Sequence, residues 1–286
     1  MQEGGAILKD NNLLFFVHIE KAAGTSFKSI LLNNYFLKFL NLTSWHFWSN
    51  EESNVLKPVE IRKLLKCFPY TKAISSHGLR PKFGYDEKVK RNIKFLTLLR
   101  NPLERYLSHF YFQINDMGMD WDFQSFTAEE KFNNFIVKKL TGENNLKKAK
   151  DIIDQFFFVG FVEDFDISLI LLKETIGTSF DIRYEKRRVN SNKQGHKYVD
   201  EISDEKLNIV KQNNNLDMKL YNYAYDKFQN KINKISNLEK RKSNFKQENK
   251  NFSLPTWKRT IAKYYKKLGY RNVSKILNKF YHTRRN

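Results

Sequence analysis

The stretch that decides the fold is LLFFVHIEKAAGTSFKSIL, residues Leu13 to Leu31. Its first five residues are apolar and rich in aromatics, which is typical of a buried β-strand. Small residues follow at 22–26, and then Phe27, Ile30 and Leu31 recur at helical spacing. A strand, a tight loop of small residues and a helix place the N-terminus of the helix against a bound phosphate. The stretch therefore predicts a phosphate-binding loop.

The loop carries chemical groups that suit a phosphate. Gly24 allows close approach of the backbone, Thr25 and Ser26 add hydroxyl donors, and a positive charge comes from Lys21. A Walker A nucleotide loop has its lysine directly before Ser or Thr, whereas Lys21 comes three residues before the only glycine here. The loop is therefore not a Walker A motif. An ordinary strand-to-helix turn with a surface lysine is the alternative to a phosphate site.

A second polar motif follows another apolar strand, at residues 93–99. This strand ends at Arg100, and the Asn-Pro pair at 101–102 marks the start of a helix. In general, a guanidinium group can bind phosphate oxygens through two parallel hydrogen bonds, and a hydroxyl group such as that of Ser108 can add a further hydrogen bond. Arg105 shares a helix face with Ser108 and could assist or merely line the site. A capped helix with surface arginines is the plainer alternative.

One histidine, His77, follows a predicted short strand between the two motifs. A histidine can serve as a general base because its unperturbed pKa lies near neutral pH. A structural histidine with satisfied hydrogen bonds is the alternative. Of the other histidines, we interpret His18 as structural, expect His109 to point to a different face, and keep only His46 as a weak alternative base.

The remaining pattern alternates strands and helices, which predicts an α/β fold with a mainly parallel sheet. A third strand is predicted at 156–161 and helical structure at 203–235. The spacing of Thr and Glu at 127 and 130 is typical of a capping box, so a helix is predicted over 127–140. The polar segments 82–91 and 142–150 are predicted to be loops.

Length and composition fit a globular protein of one large domain or two small ones. The chain has 286 residues, of which 41% are hydrophobic, and this suffices for a substantial core. The single cysteine, Cys67, cannot form an internal disulfide, so the chain needs no oxidising compartment. We see no signal peptide and no apolar run long enough to cross a membrane, so we expect a soluble, cytoplasmic protein.

The strongly basic charge predicts an anionic partner. The formal net charge is +20, which suits a nucleotide, an acidic glycan, a nucleic acid or an anionic membrane surface without choosing among them. Residues 236–286 contain ten lysines and five arginines against two glutamates. We interpret this region as a basic linker followed by a helical C-terminal extension. It is either a solvated helical pair that packs on the main domain or a platform for an acidic acceptor or a membrane surface.

Two of the motifs resemble those of one enzyme family. The run HIEKAAGTSF at 18–27 resembles the 5′-phosphosulfate loop of carbohydrate sulfotransferases, the group that includes the heparan sulfate 2-O- and 6-O-sulfotransferases. The run TLLRNPLERYLS at 97–108 resembles their 3′-phosphate motif. The usual loop has Pro where this chain has Glu20. The resemblance covers residues 13–235 as ordered landmarks and implies an α/β fold with a P-loop-like, mainly parallel sheet flanked by helices.

The resemblance also implies a donor and residue roles. The donor would be 3′-phosphoadenosine 5′-phosphosulfate, with no metal required because Lys and Arg supply the positive charge. Lys21 would stabilise the leaving group, and His77 would accept the proton of an acceptor hydroxyl. The loop at 187–191 is similar to the one that closes over the adenosine, with a solvated basic loop as an equal alternative. The residues implied for donor binding are Lys21, Ala22, Ala23, Gly24, Thr25, Ser26, Arg100, Ser108, Arg188, Asn190 and Ser191.

We therefore interpret residues 1–235 as a sulfotransferase-like catalytic domain. Its acceptor is expected to be a carbohydrate hydroxyl, on an acidic polysaccharide or glycolipid, and no nucleic acid partner is expected. A P-loop kinase-like phosphotransferase is one alternative, but it would need a Walker A lysine and an aspartate where the second strand ends in Arg100. A non-catalytic binder of acidic glycan or nucleic acid is another, and it explains the charge without explaining the two motifs. Peripheral membrane contact through the basic extension is a further expectation.

Overall fold

The computed structural model describes residues 11–42, 55–185 and 198–270. Its strands are β1 (Asn12–Val17), β2 (Phe39–Leu42), β3 (Ala73–Ser76), β4 (Asn92–Leu99) and β5 (Phe158–Phe161). Its α-helices are α1 (Gly24–Tyr35), α2 (Pro58–Cys67), α3 (Tyr85–Val89), α4 (Pro102–Asn115), α5 (Phe123–Ala128), α6 (Phe135–Thr141), α7 (Leu146–Asp154), α8 (Phe165–Ile176), α9 (Asp204–Asn213), α10 (Asn215–Ile232), α11 (Leu238–Lys250) and α12 (Thr256–Tyr264).

The five strands form one parallel sheet in the order β2-β3-β1-β4-β5. The prediction of an α/β fold with a parallel sheet flanked by helices is therefore confirmed. All six residues of β1 are buried, because the central strand of such a sheet is covered by helices on both faces. The sequence predicts β1, β3, β4 and β5 but not β2, whose four residues carry too short a pattern to recognise.

Strand order brings three predicted functional segments to one edge of the sheet. The last residue of β1, Val17, is in register with Ser76 of β3 on one side and Thr97 of β4 on the other. The Thr97 hydroxyl donates to the Val17 carbonyl at 2.9 Å and ties the two strand ends together. After β1 the chain forms β2 and β3 on one side of this strand, and the connection from β3 then crosses to β4 on its other side. The carboxyl end of β1 is therefore the switch point where α/β sheets bind ligands.

The prediction of one helix over 127–140 is wrong. The Thr127 hydroxyl donates to a carbonyl inside α5 instead of capping a new helix, and α6 begins later. The cap of α6 comes from α10, where the Asp217 carboxylate accepts the N–H groups of Ile136 and Val137 at 2.9 and 2.8 Å. A residue about eighty positions away thus decides where this helix starts, and no local pattern indicates it.

The two polar segments predicted as loops, 82–91 and 142–150, contain α3 and the start of α7 respectively, so these predictions are wrong. Each helix buries one narrow face, through Tyr85 in α3 and through Ala149 and Ile153 in α7. Their remaining positions are polar and solvated, and this composition concealed the helical spacing.

The C-terminal region is helical as far as the structure describes it. The segment interpreted as a linker contains α11, whose Phe245 is buried in the same core as the sheet. After α12 the chain continues in a π-helical turn to Tyr270. The division into two domains at residue 235 stays a prediction. Within the described ranges, no helix combines the length and the apolar character that crossing a bilayer requires.

Candidate active site

The loop after β1 turns sharply into α1 through two residues in left-handed backbone conformations. Lys21 has φ 64° and Ala23 has φ 51°. Such conformations cost of order 1–3 kcal/mol each for a residue with a side chain, and they cluster at ligand-binding sites. The first α-helical bond runs from the Phe27 N–H to the Ala23 carbonyl at 3.2 Å. The N–H groups of 24–26 precede this bond, so helix geometry provides them with no intrahelical acceptor.

Gly24 is required by a close approach rather than by its own backbone angle. A Cβ atom at this position would lie 1.8 Å from Nε2 of His18. The His18 ring stacks on Phe16 on one side and on His77 on the other, with centroid distances of 5.5 and 3.8 Å. Burial, followed by the charge of His77, lowers the pKa of His18 well below its ordinary value. His18 thus packs as a neutral ring over the loop.

We expect Gly24→Ala to destabilise the protein. The added methyl group must displace the His18 ring, and overpacking of this kind costs about 1–3 kcal/mol of unfolding free energy. Denaturant unfolding measures the loss. The same substitution made in a His18→Ala background should cost clearly less, because the clashing ring is gone. An equal loss in both backgrounds would contradict the steric explanation.

The second motif lies directly against this loop. Arg100 follows β4, and its Nη1 donates to the Lys21 carbonyl at 3.3 Å while its Nη2 pairs with Glu104 at 3.2 Å. The Lys21 ammonium lies 4.3 Å from the centre of the Phe112 ring on α4. The predicted start of α4 is confirmed, since the Asn101 side chain accepts two N–H groups of its first turn. The fold therefore brings together two motifs that are 79 residues apart.

The interior face of α4 carries the other two polar residues of this motif. Ser108 is buried, and the Arg105 side chain is fully enclosed, 4.7 Å from the Phe135 ring. Among the described residues, none accepts a hydrogen bond from the Arg105 guanidinium. Burial lowers its pKa, and the carboxylate of Asp217 opposes the shift. An unsatisfied buried cation of this kind is costly and fits a site for a multiply charged anion.

The third group of residues implied for donor binding, Arg188, Asn190 and Ser191, lies outside the described residues, and so does His46. The next residues that the structure describes, 198 and 199, contact the same glutamate as Arg100 does. The N–H groups of Tyr198 and Val199 donate to the Glu104 carboxylate at 3.3 and 3.1 Å. Glu104 therefore contacts both the second motif and this returning segment.

The candidate base lies at the end of β3, beside the loop. Nδ1 of His77 is 3.1 Å from the Glu20 carboxylate and 3.0 Å from the His18 carbonyl. The His77 carbonyl accepts hydrogen bonds from Arg80 at 2.6 Å and from Lys139 at 3.1 Å. Its side chain is 30% exposed, so an acceptor from solvent can reach the ring.

The sequence did not allow us to predict the two charged residues that surround His77. Lys139 on α6 donates to both oxygens of Glu20, at 2.8 and 3.1 Å, and its side chain is only 1% exposed. Burial lowers the pKa of Lys139 to about 8. Burial alone would raise the pKa of Glu20, but Lys139 and His77 outweigh it, so this pKa lies well below its ordinary value. Glu20 was visible only as a departure from the usual loop, and nothing in the sequence indicated Lys139.

Two other features of the described residues are a basic cavity and a buried histidine. The cavity is lined by Lys38, Lys72 and Arg91 and lies at the opposite edge of the sheet, where the strands begin. His109 of α4 is enclosed by aromatic rings from α5, α6 and the turn between them, and burial lowers its pKa to about 4. Within the described ranges, no group of three or more His, Cys, Asp or Glu has a geometry that could hold a metal ion.

A comparison with protein families identifies the family to which the chain belongs. A model described as the sulfotransferase family matches residues 5–224. The chain belongs to the sulfotransferase family. The match spans the whole sheet of this sulfotransferase, including the loop at 18–23 and the second motif, and membership implies 3′-phosphoadenosine 5′-phosphosulfate as donor. A comparison with curated proteins found no significant match.

Proposed function

We propose that this sulfotransferase transfers a sulfuryl group from 3′-phosphoadenosine 5′-phosphosulfate to a hydroxyl of a carbohydrate. The observation that carries the proposal is the direct contact between the two motifs, in which the Arg100 guanidinium donates to the Lys21 carbonyl. The donor has a charged phosphoryl group at each end. Two cationic anchors side by side at the switch point of a parallel sheet suit such a molecule.

The roles of individual residues follow from their positions. The N-terminus of α1 and residues 21–26 would hold the 5′-phosphosulfate, because helix N–H groups and a lysine attract anions. Arg100 and Ser108 would hold the 3′-phosphate. Arg105 would add positive charge from the interior face of α4, since its guanidinium lacks an acceptor among the described residues. Arg188, Asn190 and Ser191 stay proposals by resemblance alone.

The transfer is a substitution at sulfur. The donor supplies an SO₃ group whose bond to a phosphate oxygen breaks, and that electron pair leaves with adenosine 3′,5′-bisphosphate. The acceptor oxygen forms the new bond to sulfur, and its proton passes to His77. Lys21 stabilises the charge that develops on the departing phosphate oxygen. In this proposal, lysine and arginine side chains supply the positive charge at the site, and no metal ion is required.

The acceptor is proposed to be an acidic polysaccharide or glycolipid. The formal net charge of +20 attracts anionic polymers, and His77 is accessible from solvent. A panel with ³⁵S-labelled donor tests this, comparing unsulfated acidic polysaccharides, neutral polysaccharides and a tyrosine peptide. Label on the acidic polysaccharides alone is expected. Label on the peptide alone would refute a carbohydrate acceptor.

Arg100→Ala is expected to weaken the binding of adenosine 3′,5′-bisphosphate about 10- to 100-fold. Loss of a charged hydrogen-bonding partner costs about 1.5–3 kcal/mol, and each 1.4 kcal/mol is a factor of ten. Titration calorimetry measures the change. Arg91→Ala is the matched control, because Arg91 precedes the same strand at its opposite end and should leave the affinity unchanged. Unchanged affinity in Arg100→Ala would refute the assigned role.

The same calorimetry separates the alternative functions. A kinase-like phosphotransferase would prefer ATP with Mg²⁺ to adenosine 3′,5′-bisphosphate. A non-catalytic basic binder would hold acidic glycan or nucleic acid without selecting this nucleotide and without depending on Arg100. Selective binding of the bisphosphate that is lost in Arg100→Ala supports the sulfotransferase.

A cytoplasmic location and peripheral membrane contact also stay predictions. Helix α12 supports the second of these, because it exposes Trp257, Ile261 and Tyr264 at helical spacing. Lysines at 258 and 263 flank these side chains. A helix with exposed aromatic and aliphatic residues among lysines suits the surface of an anionic bilayer or an acidic glycolipid.

A further inference from the structure

The carboxylate of Glu20 lies between two partners of different kinds. One oxygen, Oε1, is 3.1 Å from Nδ1 of His77, and Oε2 is 2.8 Å from Nζ of Lys139. The carbohydrate sulfotransferase loop that this segment resembles has Pro at this position, and proline can make neither contact. The charged pair with a buried lysine keeps Glu20 ionised, because its pKa lies well below the ordinary value.

Two acceptors therefore face the same ring nitrogen. The ionised Glu20 carboxylate can accept hydrogen bonds but cannot donate them. The same holds for the His18 carbonyl, which is 3.0 Å from Nδ1. Both contacts favour a proton on Nδ1. A neutral imidazole carries one proton, so Nε2 then holds the lone pair.

The other charged groups around the ring do not reverse this preference. His18 stacks on His77 and is kept neutral by burial. Arg80 and Lys139 approach from the backbone side and donate to the His77 carbonyl. Of these groups, only Glu20 acts on the ring as an anion.

We propose that Glu20 is a positioning residue that holds His77 in its Nδ1–H tautomer and directs Nε2 to the acceptor hydroxyl. The proposal rests on the proposed function of His77 as base. When the O–H bond of the acceptor breaks, its proton forms the Nε2–H bond and the ring becomes an imidazolium. The Glu20 carboxylate then stabilises that positive charge at Nδ1.

Glu20→Gln tests the role because it keeps the shape and changes the hydrogen bonding. The ammonium of Lys139 requires the amide oxygen, so the amide NH₂ group turns towards Nδ1 of His77. A donor at this place favours the Nε2–H tautomer, which cannot accept a proton at Nε2. Long-range ¹H–¹⁵N NMR of the free protein reads the tautomer, with His77→Asn identifying the signal. We expect Nδ1–H in the wild type and a shift towards Nε2–H in Glu20→Gln.

Lys139→Arg is the matched control. Both substitutions disturb the same buried ion pair, so both should lower the thermal unfolding temperature. Lys139→Arg keeps the positive charge that holds Glu20 ionised, so only Glu20→Gln should change the tautomer. Glu20→Gln should also lower kcat about 10²-fold, the lower end of what a positioned base contributes, while the affinity for adenosine 3′,5′-bisphosphate is unchanged.

The outcomes distinguish this role from the proposed function. A proton on Nε2 in the wild type would overturn the role of Glu20, and this measurement does not require the variant to fold. A folded Glu20→Gln variant with wild-type kcat would overturn it as well. Absence of sulfate transfer by the wild type to any acceptor in the panel would instead refute the proposed function, since the tautomer is read without donor or acceptor.

Discussion

Lys21→Ala is expected to lower kcat by about 10²–10³-fold, the loss that follows removal of one group stabilising a developing negative charge. The ammonium is proposed to act on the phosphate oxygen that departs from sulfur. Loop backbone and helix N–H groups are retained in the variant, so the donor still binds. Steady-state kinetics with saturating donor and the best acceptor of the panel measure the change.

Lys38→Ala is the control for this substitution. It removes the same charge from the opposite edge of the sheet, where Lys38 lines the basic cavity. The control should retain wild-type kcat, which would show that overall charge is not the cause of the loss. If Lys21→Ala keeps wild-type kcat although it folds normally, the assignment of Lys21 to the leaving group is wrong.

His77→Ala is expected to lower kcat by about 10²–10⁴-fold, which is the contribution of a positioned general base. The affinity for adenosine 3′,5′-bisphosphate should stay at the wild-type value, because the ring contacts Glu20 and His18 rather than the two phosphate anchors. Kinetics and titration calorimetry on the same preparation measure the two quantities separately.

His77→Asn guards against a misfolded site. Its amide can still donate to the Glu20 carboxylate, so the ion pair with Lys139 keeps its surroundings, but asparagine cannot serve as a base. Loss of turnover in both variants with retained nucleotide affinity supports the assignment. Wild-type turnover in either folded variant would show that another group accepts the proton.

The sequence by itself determined the parallel sheet, the loop and the start of α4. The apolar runs of β1 and β4 are long enough to be recognised, and both strands lie inside the sheet with a neighbouring strand on each side. The Asn101 cap was readable because a cap acts within three residues of its own position. These features depend on local geometry, so they can be predicted from the amino-acid sequence alone.

Only the tertiary structure decided how His77, the proposed base, is held. Glu20 and Lys139 are 119 residues apart, and their pairing depends on α6 packing over the loop. The start of α6 depends in turn on Asp217 from α10, which is why the sequence predicted this helix wrongly. The sequence predicted that Gly24 allows close approach of the backbone to a phosphate, and the structure shows that the ring of His18 also requires a glycine there. Buried charges and close contacts between distant segments follow from packing, and packing has no local signature.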